Sequence, residues 1–479
     1  MRRMLTWVWI PVGILLGVLI SVASGSGGSL LPGMSLQTLR GENPPRATPG
    51  KAVERVGPDT TVEGAGSLFR PRQRPHRLET FFAALERSET DGVDERVGIV
   101  QIVDSHTASD TLSGQLRRRF QTRFGSAGRG LAAPGRPWAG FRQEQMSWGM
   151  SRGWQTHLAH RREDDGPFGL GGIRLDSTAY GASLARGTCE RCEFGHSFES
   201  VTVHYLRRPS GGNLTLEIDG AEVHTTSTSG KHGLGIAQLS VAPGPHELRV
   251  VNSGGGPLSV LGVRTESGDD GVTLSSLGLN GATAIDFNQR WSALAHRQLR
   301  QLDPTLLVYA FGTNGAYNLY RFAEKFADNE KAIRQQQSRW RRNYRQYVQK
   351  TLGALSSPSC LVLTPPDLSV GSCVWRRPSP DEEPICTRRP EMFDYVVRTQ
   401  HEIANEFGCA IWDQAEAMGG AGSIVRWNRR TPPLAQDDGK HLTMQGYRTV
   451  ADGLFEDVMA SYDHWLSGET RRVRTTPVP

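Results

Sequence analysis

The sequence predicts an α/β protein whose parallel sheet is interrupted by an inserted β-sandwich or jelly-roll domain. Three observations carry that expectation. Apolar strand-like runs alternate with helical segments on either side of a long central region, the pattern of a parallel sheet. Within that region, from about residue 170 to 268, the chain changes to short alternating runs separated by turn signals. Finally, Val103-Asp104-Ser105-His106 closes the apolar run Val97-Gly98-Ile99-Val100-Gln101-Ile102. A small hydroxyl residue there sits at the carboxyl edge of a strand, where open α/β sheets bind ligands.

The elements follow in order. Arg2 and Arg3 precede an apolar stretch from Leu5 to Ala23, so residues 1–24 read as a signal peptide or an N-terminal membrane anchor. Val22-Ala23-Ser24 is a tolerable cleavage site, and both outcomes put the rest of the chain outside the cytoplasm, in the periplasm or cell envelope. Residues 25–76, rich in Gly, Pro, Ser and Arg, have no sustained apolar period and are expected to be a disordered linker. The first part of the α/β domain is placed at 77–165, with a short amphipathic helix at 77–90 and the strand before Ser105. Leu112, Leu116, Phe120 and Phe124 then recur every fourth residue, with Asp110 as N-cap and Gly125 as stop. The Gly- and Trp-rich stretch 126–165 reads as irregular.

The inserted module is placed at 166–268, with runs such as Val201-Thr202-Val203-His204-Tyr205 and Leu214-Thr215-Leu216-Glu217-Ile218, and turns such as Asp219-Gly220. The second part of the α/β domain is placed at 269–467. It contains a strand at 272–277, a helix at about 287–300, the buried-type strand Thr305–Ala310 and a long helix at about 318–353. A strand at 360–364, a Pro/Cys-rich loop at 366–390, a helix at 391–407, a strand at 409–413 and a last helix at about 444–465 complete it. Residues 468–479 read as a disordered tail.

Composition narrows the function. The chain has 479 residues, enough for two or three domains and a sizeable core. Its net charge of +6 comes with six lysines against 49 arginines, spread along the chain without a nucleic-acid motif. A nucleic-acid partner is therefore excluded. Six cysteines are an even count that suits an oxidising compartment. Cys189 and Cys192 lack a second metal half-site, so a local disulfide is expected and no metal. Cys360 and Cys409 each open an apolar strand, and they can bridge if those strands are neighbours, leaving Cys373 with Cys386.

Ser105 needs a base, an orienter for that base and donors for an oxyanion. His441 is the candidate base and Asp438 the orienter, with Asp437 a neighbouring alternative. Three residues of separation let a carboxylate reach Nδ1 and leave Nε2 for the serine. Candidate oxyanion donors are the Ser105 and Gly281 backbone N–H groups and the Asn314 side-chain amide. Gly281 permits close backbone approach. His106 is expected to point away, because neighbouring residues on a strand face opposite ways. Each feature alone has a plainer reading: a helix cap at Asp104-Ser105, turns at Gly281 and Asn314, a surface loop at Asp438–His441. Their occurrence in one order, at matching strand ends, favours catalysis. The tryptophans and His157, His160, His196 and His204 are left as core or surface residues.

On these residues the chain resembles the SGNH (GDSL-type) hydrolases, whose four sequence blocks supply Ser, Gly, Asn and His. Ser105, Gly281, Asn314 and Asp438 with His441 match them, and His441-Leu442-Thr443 with Gly446-Tyr447 looks like the fourth block of members acting on cell-wall and polysaccharide acyl esters. Val103 stands where the family has glycine, and Phe311 where a small residue is common. The resemblance implies a flavodoxin-like three-layer sheet. The β-module between the first two blocks suggests the periplasmic peptidoglycan O-acetylesterase branch, which carries a carbohydrate-binding-like insert there. The expected activity is removal of O-acetyl or other short acyl groups from a glycan by a cofactor-free monomer, through an acyl-enzyme on Ser105. An O-acyltransferase acting on cell-wall or exopolysaccharide sugars, a lipid or aryl esterase, and a non-catalytic glycan-binding scaffold are the alternatives.

Overall fold

The computed structural model of the protein describes residues 75–90, 93–268, 270–290, 293–370 and 389–468. The expected N-terminal segment at 1–24, most of the linker at 25–76, Cys373, Cys386 and nearly all of the tail lie outside the described residues. Among the described residues, no helix is long and apolar enough to cross a membrane.

Five parallel strands form the central sheet: Arg96–Val103, Gly271–Gly278, Leu306–Ala310, Ser359–Leu363 and Ala410–Trp412. Their spatial order places Gly271–Gly278 at one edge, then Arg96–Val103, Leu306–Ala310, Ser359–Leu363 and Ala410–Trp412. Numbered along the chain this is 2-1-3-4-5, the flavodoxin-like order, in which the chain reverses direction across the sheet between its first and third strands.

Both faces are covered, which is why these strands are apolar on both sides. Leu307, Tyr309, Val362 and Ile411 face helices Glu330–Leu352 and Glu391–Phe407 through Trp340, Tyr344, Val348, Phe393 and Ile403. Val308, Leu361 and Leu363, one residue out of phase, share the opposite core with Phe81, Leu116, Phe120, Leu454 and Tyr462. That core belongs to helices Glu79–Ser88, Thr111–Phe124 and Met444–Leu466.

The inserted module is a sandwich of two antiparallel sheets. One runs Gly233–Gly244, Phe198–Arg207, Leu258–Glu266, Ile173–Ser177, Trp154–Leu158, with Gly130–Ala132 also paired to Leu258–Glu266. The other runs Ser147–Met150, Ser183–Gly187, Glu247–Asn252, Asn213–Ile218, Ala221–Ser227. Leu214, Leu216, Leu248 and Val250 of one sheet meet Val201, Val203, Tyr205 and Val260 of the other in a shared core.

Three expectations need correction. The stretch 126–165 is not irregular, and the module's pairing starts well before residue 166: Ser147–Met150 and Trp154–Leu158 are edge strands of its two sheets. Edge strands bury little, so both are mostly partly exposed and show no apolar run. The long helix at 318–353 is two helices, Thr313–Lys325 and Glu330–Leu352, because the Asn329 side chain accepts from Ala332 N and starts a new one. Asp110 stands at the N-cap position of Thr111–Phe124 without capping it; its carboxylate takes Arg117 and Arg129 instead.

Cys189 is bonded to Cys192 and Cys360 to Cys409. The second bridge joins neighbouring strands, where Leu361 pairs with Ala410.

Candidate active site

Ser105 lies just beyond the first strand of the sheet and opens the short helix Ser105–Ala108. Asp104 is its N-cap, accepting from His106 N at 3.1 Å. As the first helical residue, Ser105 has an N–H with no intrahelical acceptor, so it stays free to donate outward. Asn314 lies just past the end of the third strand, in the first turn of Thr313–Lys325. The two residues thus flank the crevice between the first and third strands, where the chain order reverses and α/β sheets place ligands.

His441 reaches this crevice from the loop before Met444–Leu466. Ser105 Oγ is 2.9 Å from His441 Nε2, and His441 Nδ1 is 2.5 Å from Asp438 Oδ2. The Asp438 carboxylate accepts a hydrogen bond from Nδ1–H, which fixes the tautomer whose unprotonated Nε2 accepts from the serine hydroxyl. Asp438 Oδ1 also accepts from the backbone N–H groups of Lys440 and His441, each at 2.9 Å. Partial burial pushes this carboxyl up, but these hydrogen bonds from His441 and Lys440 outweigh it and hold it well below the usual carboxylate range. Asp437 is turned elsewhere and accepts from Asn428 Nδ2 at 2.9 Å. Of the two adjacent carboxylates, Asp438 is the one joined to His441.

The Gly281 loop hangs from the same strand ends, with Leu279 N donating to Val103 O at 3.1 Å and Asn314 Nδ2 to Ala282 O at 3.1 Å. One Asn314 amide hydrogen thus holds the loop and the other remains to donate. Gly281 has φ +75°, and its nearest neighbour, His160 Cδ2, would lie 3.9 Å from an added Cβ. Its left-handed backbone, more than crowding from the protein, therefore calls for glycine.

His106 is the group that sequence reasoning undervalued. Its ring sits 5.2 Å from that of His441, in a buried hub: Nδ1 lies 3.0 Å from Tyr447 Oη and Nε2 2.9 Å from Thr313 Oγ1. It thereby ties the serine segment to the helix carrying Asn314 and to the helix that follows His441. Burial, with the nearby His441 charge adding to it, pushes its pKa down to about 3, so it is neutral and serves as a brace. The strand ends at Val103 and His106 lies in the helix Ser105–Ala108, so strand alternation does not set its direction; its partners, more than 200 residues away in sequence, left no local signal. Among the described residues, no group of three or more His, Cys, Asp or Glu side chains is arranged to hold a metal ion.

The chain superposes on a structure described as a peptidoglycan O-acetylesterase in action with a TM-score of 0.60 and 24% identity, over 82% of this chain and 97% of that one. The protein has the SGNH-type hydrolase fold with an inserted β domain. An acetyl xylan esterase (TM-score 0.26, 16% identity, 39% of this chain and 81% of that one) is a distant structural match. So is a family two carbohydrate esterase from Clostridium thermocellum (TM-score 0.27, 10% identity, 64% of this chain and 98% of that one). In sequence, residues 272–457 match a family described as a protein of unknown function, DUF459. No curated protein matches the chain.

The two departures from the family pattern turn inward. Val103 is fully buried at the end of its strand, paired with Gly278 and Ala310. Phe311 is buried against Phe287 and Tyr347, with ring centroids 5.3 and 5.6 Å away.

Proposed function

We propose that the protein is an extracytoplasmic serine esterase that removes O-acetyl groups from a glycan, with peptidoglycan as its substrate. The observation that carries this reading is the continuous Ser105–His441–Asp438 relay at the carboxyl edge of the sheet. The fold shared with a peptidoglycan O-acetylesterase over most of both chains supports the choice of substrate. The two disulfides support the compartment.

In this mechanism Ser105 Oγ attacks the ester carbonyl while His441 Nε2 takes its proton. Asp438 keeps the imidazole in the required tautomer and stabilises it once charged. The oxyanion receives the Ser105 and Gly281 N–H groups and the free hydrogen of the Asn314 amide, each donor lowering the barrier by about 3 kcal/mol. His441 returns the proton to the sugar oxygen as its bond to the acyl carbon breaks, so the sugar leaves as a free hydroxyl, and water activated by the same imidazole releases acetate from Ser105.

The test is acetate release from O-acetylated peptidoglycan and from acetylated xylan, comparing wild type with Ser105→Ala. Release from peptidoglycan by wild type alone supports the proposal. Preference for xylan moves the substrate assignment, and acetate recovered only on an added sugar acceptor makes the protein a transferase. A fluorophosphonate that fails to label Ser105, with wild type and Ser105→Ala equally inactive, leaves a glycan-binding scaffold.

A further inference from the structure

Behind the serine segment lies a cluster of buried charge that the relay does not use. Arg117, Arg129 and Arg186 are all nearly inaccessible to solvent. Asp110 is the buried carboxylate among them, and it is saturated. It accepts from Arg117 Nη2 at 3.0 Å, Arg129 Nη2 at 2.8 Å, Ser113 Oγ at 2.6 Å and Glu144 N at 2.9 Å. Glu144, partly buried, is the other carboxylate close to this group. Three guanidinium charges therefore face at most two negative ones. Burial first, and then the mutual repulsion of these arginines, push Arg129 down to about 10 and Arg186 to about 9. Leaving charge in such an imbalance inside a protein is costly unless something compensates it.

A small cavity adjoins the cluster, walled by Thr107, Arg129, Arg142, Ser276 and the already ion-paired Asp110, together with apolar groups such as Ile173 and Leu261. Its free volume is about 20 Å³, above the ~10–15 Å³ that one water-sized sphere needs. Thr107 Oγ1, Arg129 Nε and Ser276 Oγ are all buried with no hydrogen-bond partner among the described residues, and all three can donate. The Gln143 side chain also lines the cavity; its buried Oε1 is unpartnered, and a half-turn of the amide presents Nε2 instead. Unpaired donors beside uncompensated positive charge are the chemistry of an anion site.

We propose that this cavity binds one chloride-sized monovalent anion, held by Arg129 Nε, Thr107 Oγ1 and Ser276 Oγ. The ion neutralises part of the guanidinium excess. Because Thr107 is two residues from Ser105, the ion also ties the nucleophile's helix to the strand Gly271–Gly278 and to Arg129. The site does not depend on the esterase reading and is tested without substrate.

Crystals grown in sodium bromide are examined for anomalous scattering, and thermal melts compare sodium chloride with sodium gluconate at equal ionic strength. A bromine peak inside the cavity is expected in wild type, along with a halide-specific rise in Tm of about 1–2 °C. Both should be lost in Thr107→Val/Ser276→Ala, which keeps the Asp110 ion pairs. An empty or water-filled cavity in bromide, or identical wild-type melts in the two salts, overturns the proposal whether or not the double variant folds.

Discussion

Replacing Asp438 separates an orienting carboxylate from a merely nearby one, because the geometry predicts that Asn is worse than Ala. Asp438 Oδ1 accepts two backbone N–H groups at 2.9 Å, while Oδ2 faces His441 Nδ1 at 2.5 Å. In Asp438→Asn the amide oxygen must stay with the two N–H donors, since the reverse orientation sets an NH₂ group against both. The NH₂ group then points at Nδ1 and forces it to accept. The imidazole proton moves to Nε2, which now donates toward Ser105 Oγ when it should accept. The expected loss in kcat is about 10³–10⁴-fold, or ~4–5.5 kcal/mol at 1.36 kcal/mol per tenfold. Asp438→Ala imposes no wrong tautomer. The His441 side chain is 32 % exposed, so water can reach Nδ1, and the loss is about 10²-fold. Hydrolysis of p-nitrophenyl acetate and the rate of fluorophosphonate labelling measure both variants. An Asn variant as active as the Ala variant, or within tenfold of wild type, refutes the reasoning.

His106→Ala leaves Thr313 and Tyr447 without their shared partner, at about 1–3 kcal/mol per unsatisfied group. A lower Tm is expected together with slower fluorophosphonate labelling; a lower Tm with unchanged labelling makes His106 purely structural. Gly281→Ala meets no atom closer than 3.9 Å, so the variant should fold, at a cost of about 1–2 kcal/mol for its left-handed φ of +75°. Its kcat should fall more than its stability, as kinetics and denaturant titration together will show. Replacing Cys360 and Cys409 by alanine opens a loop of 49 residues and should lower the unfolding free energy by about 2–4 kcal/mol, read from urea titration. Burial pushes the Asp110 carboxyl up, but the Arg117 and Arg129 charges overcome this and hold it at about 2. With an unfolded value of about 3.9, its contribution to stability is fully present above pH ~4 and is lost as pH falls toward 2. Tm measured across that window should fall more steeply in wild type than in Asp110→Asn, and parallel curves would count against the ion-pair account.

Much of the candidate site's geometry was legible from local pattern. A strand ending in Val103-Asp104-Ser105 places its serine at a sheet edge, whatever the rest of the chain does. The three-residue spacing of Asp438 and His441 brings carboxylate and imidazole together within one short loop. The neighbouring Asp437 was the ambiguity, and only the Asn428 contact settled which carboxylate meets the histidine. The module's interior strands announced themselves because a half-buried strand must alternate. Its edge strands at 147–150 and 154–158 did not, since little of either is buried.

What residue pattern alone determined is therefore the set of short-range facts: which segments are strands, that a β-module interrupts the sheet, and which polar groups stand at strand ends. These follow from periodicity and from contacts within a few residues. Tertiary structure decided whatever depends on distant segments meeting. It set the 2-1-3-4-5 strand order that puts Ser105 and Asn314 on one crevice, and the His106 brace between Thr313 and Tyr447. It also gathered Arg117, Arg129 and Arg186 around Asp110. Burial turns those meetings into chemistry, because groups that are harmless in water become neutral braces or uncompensated charges once water is removed.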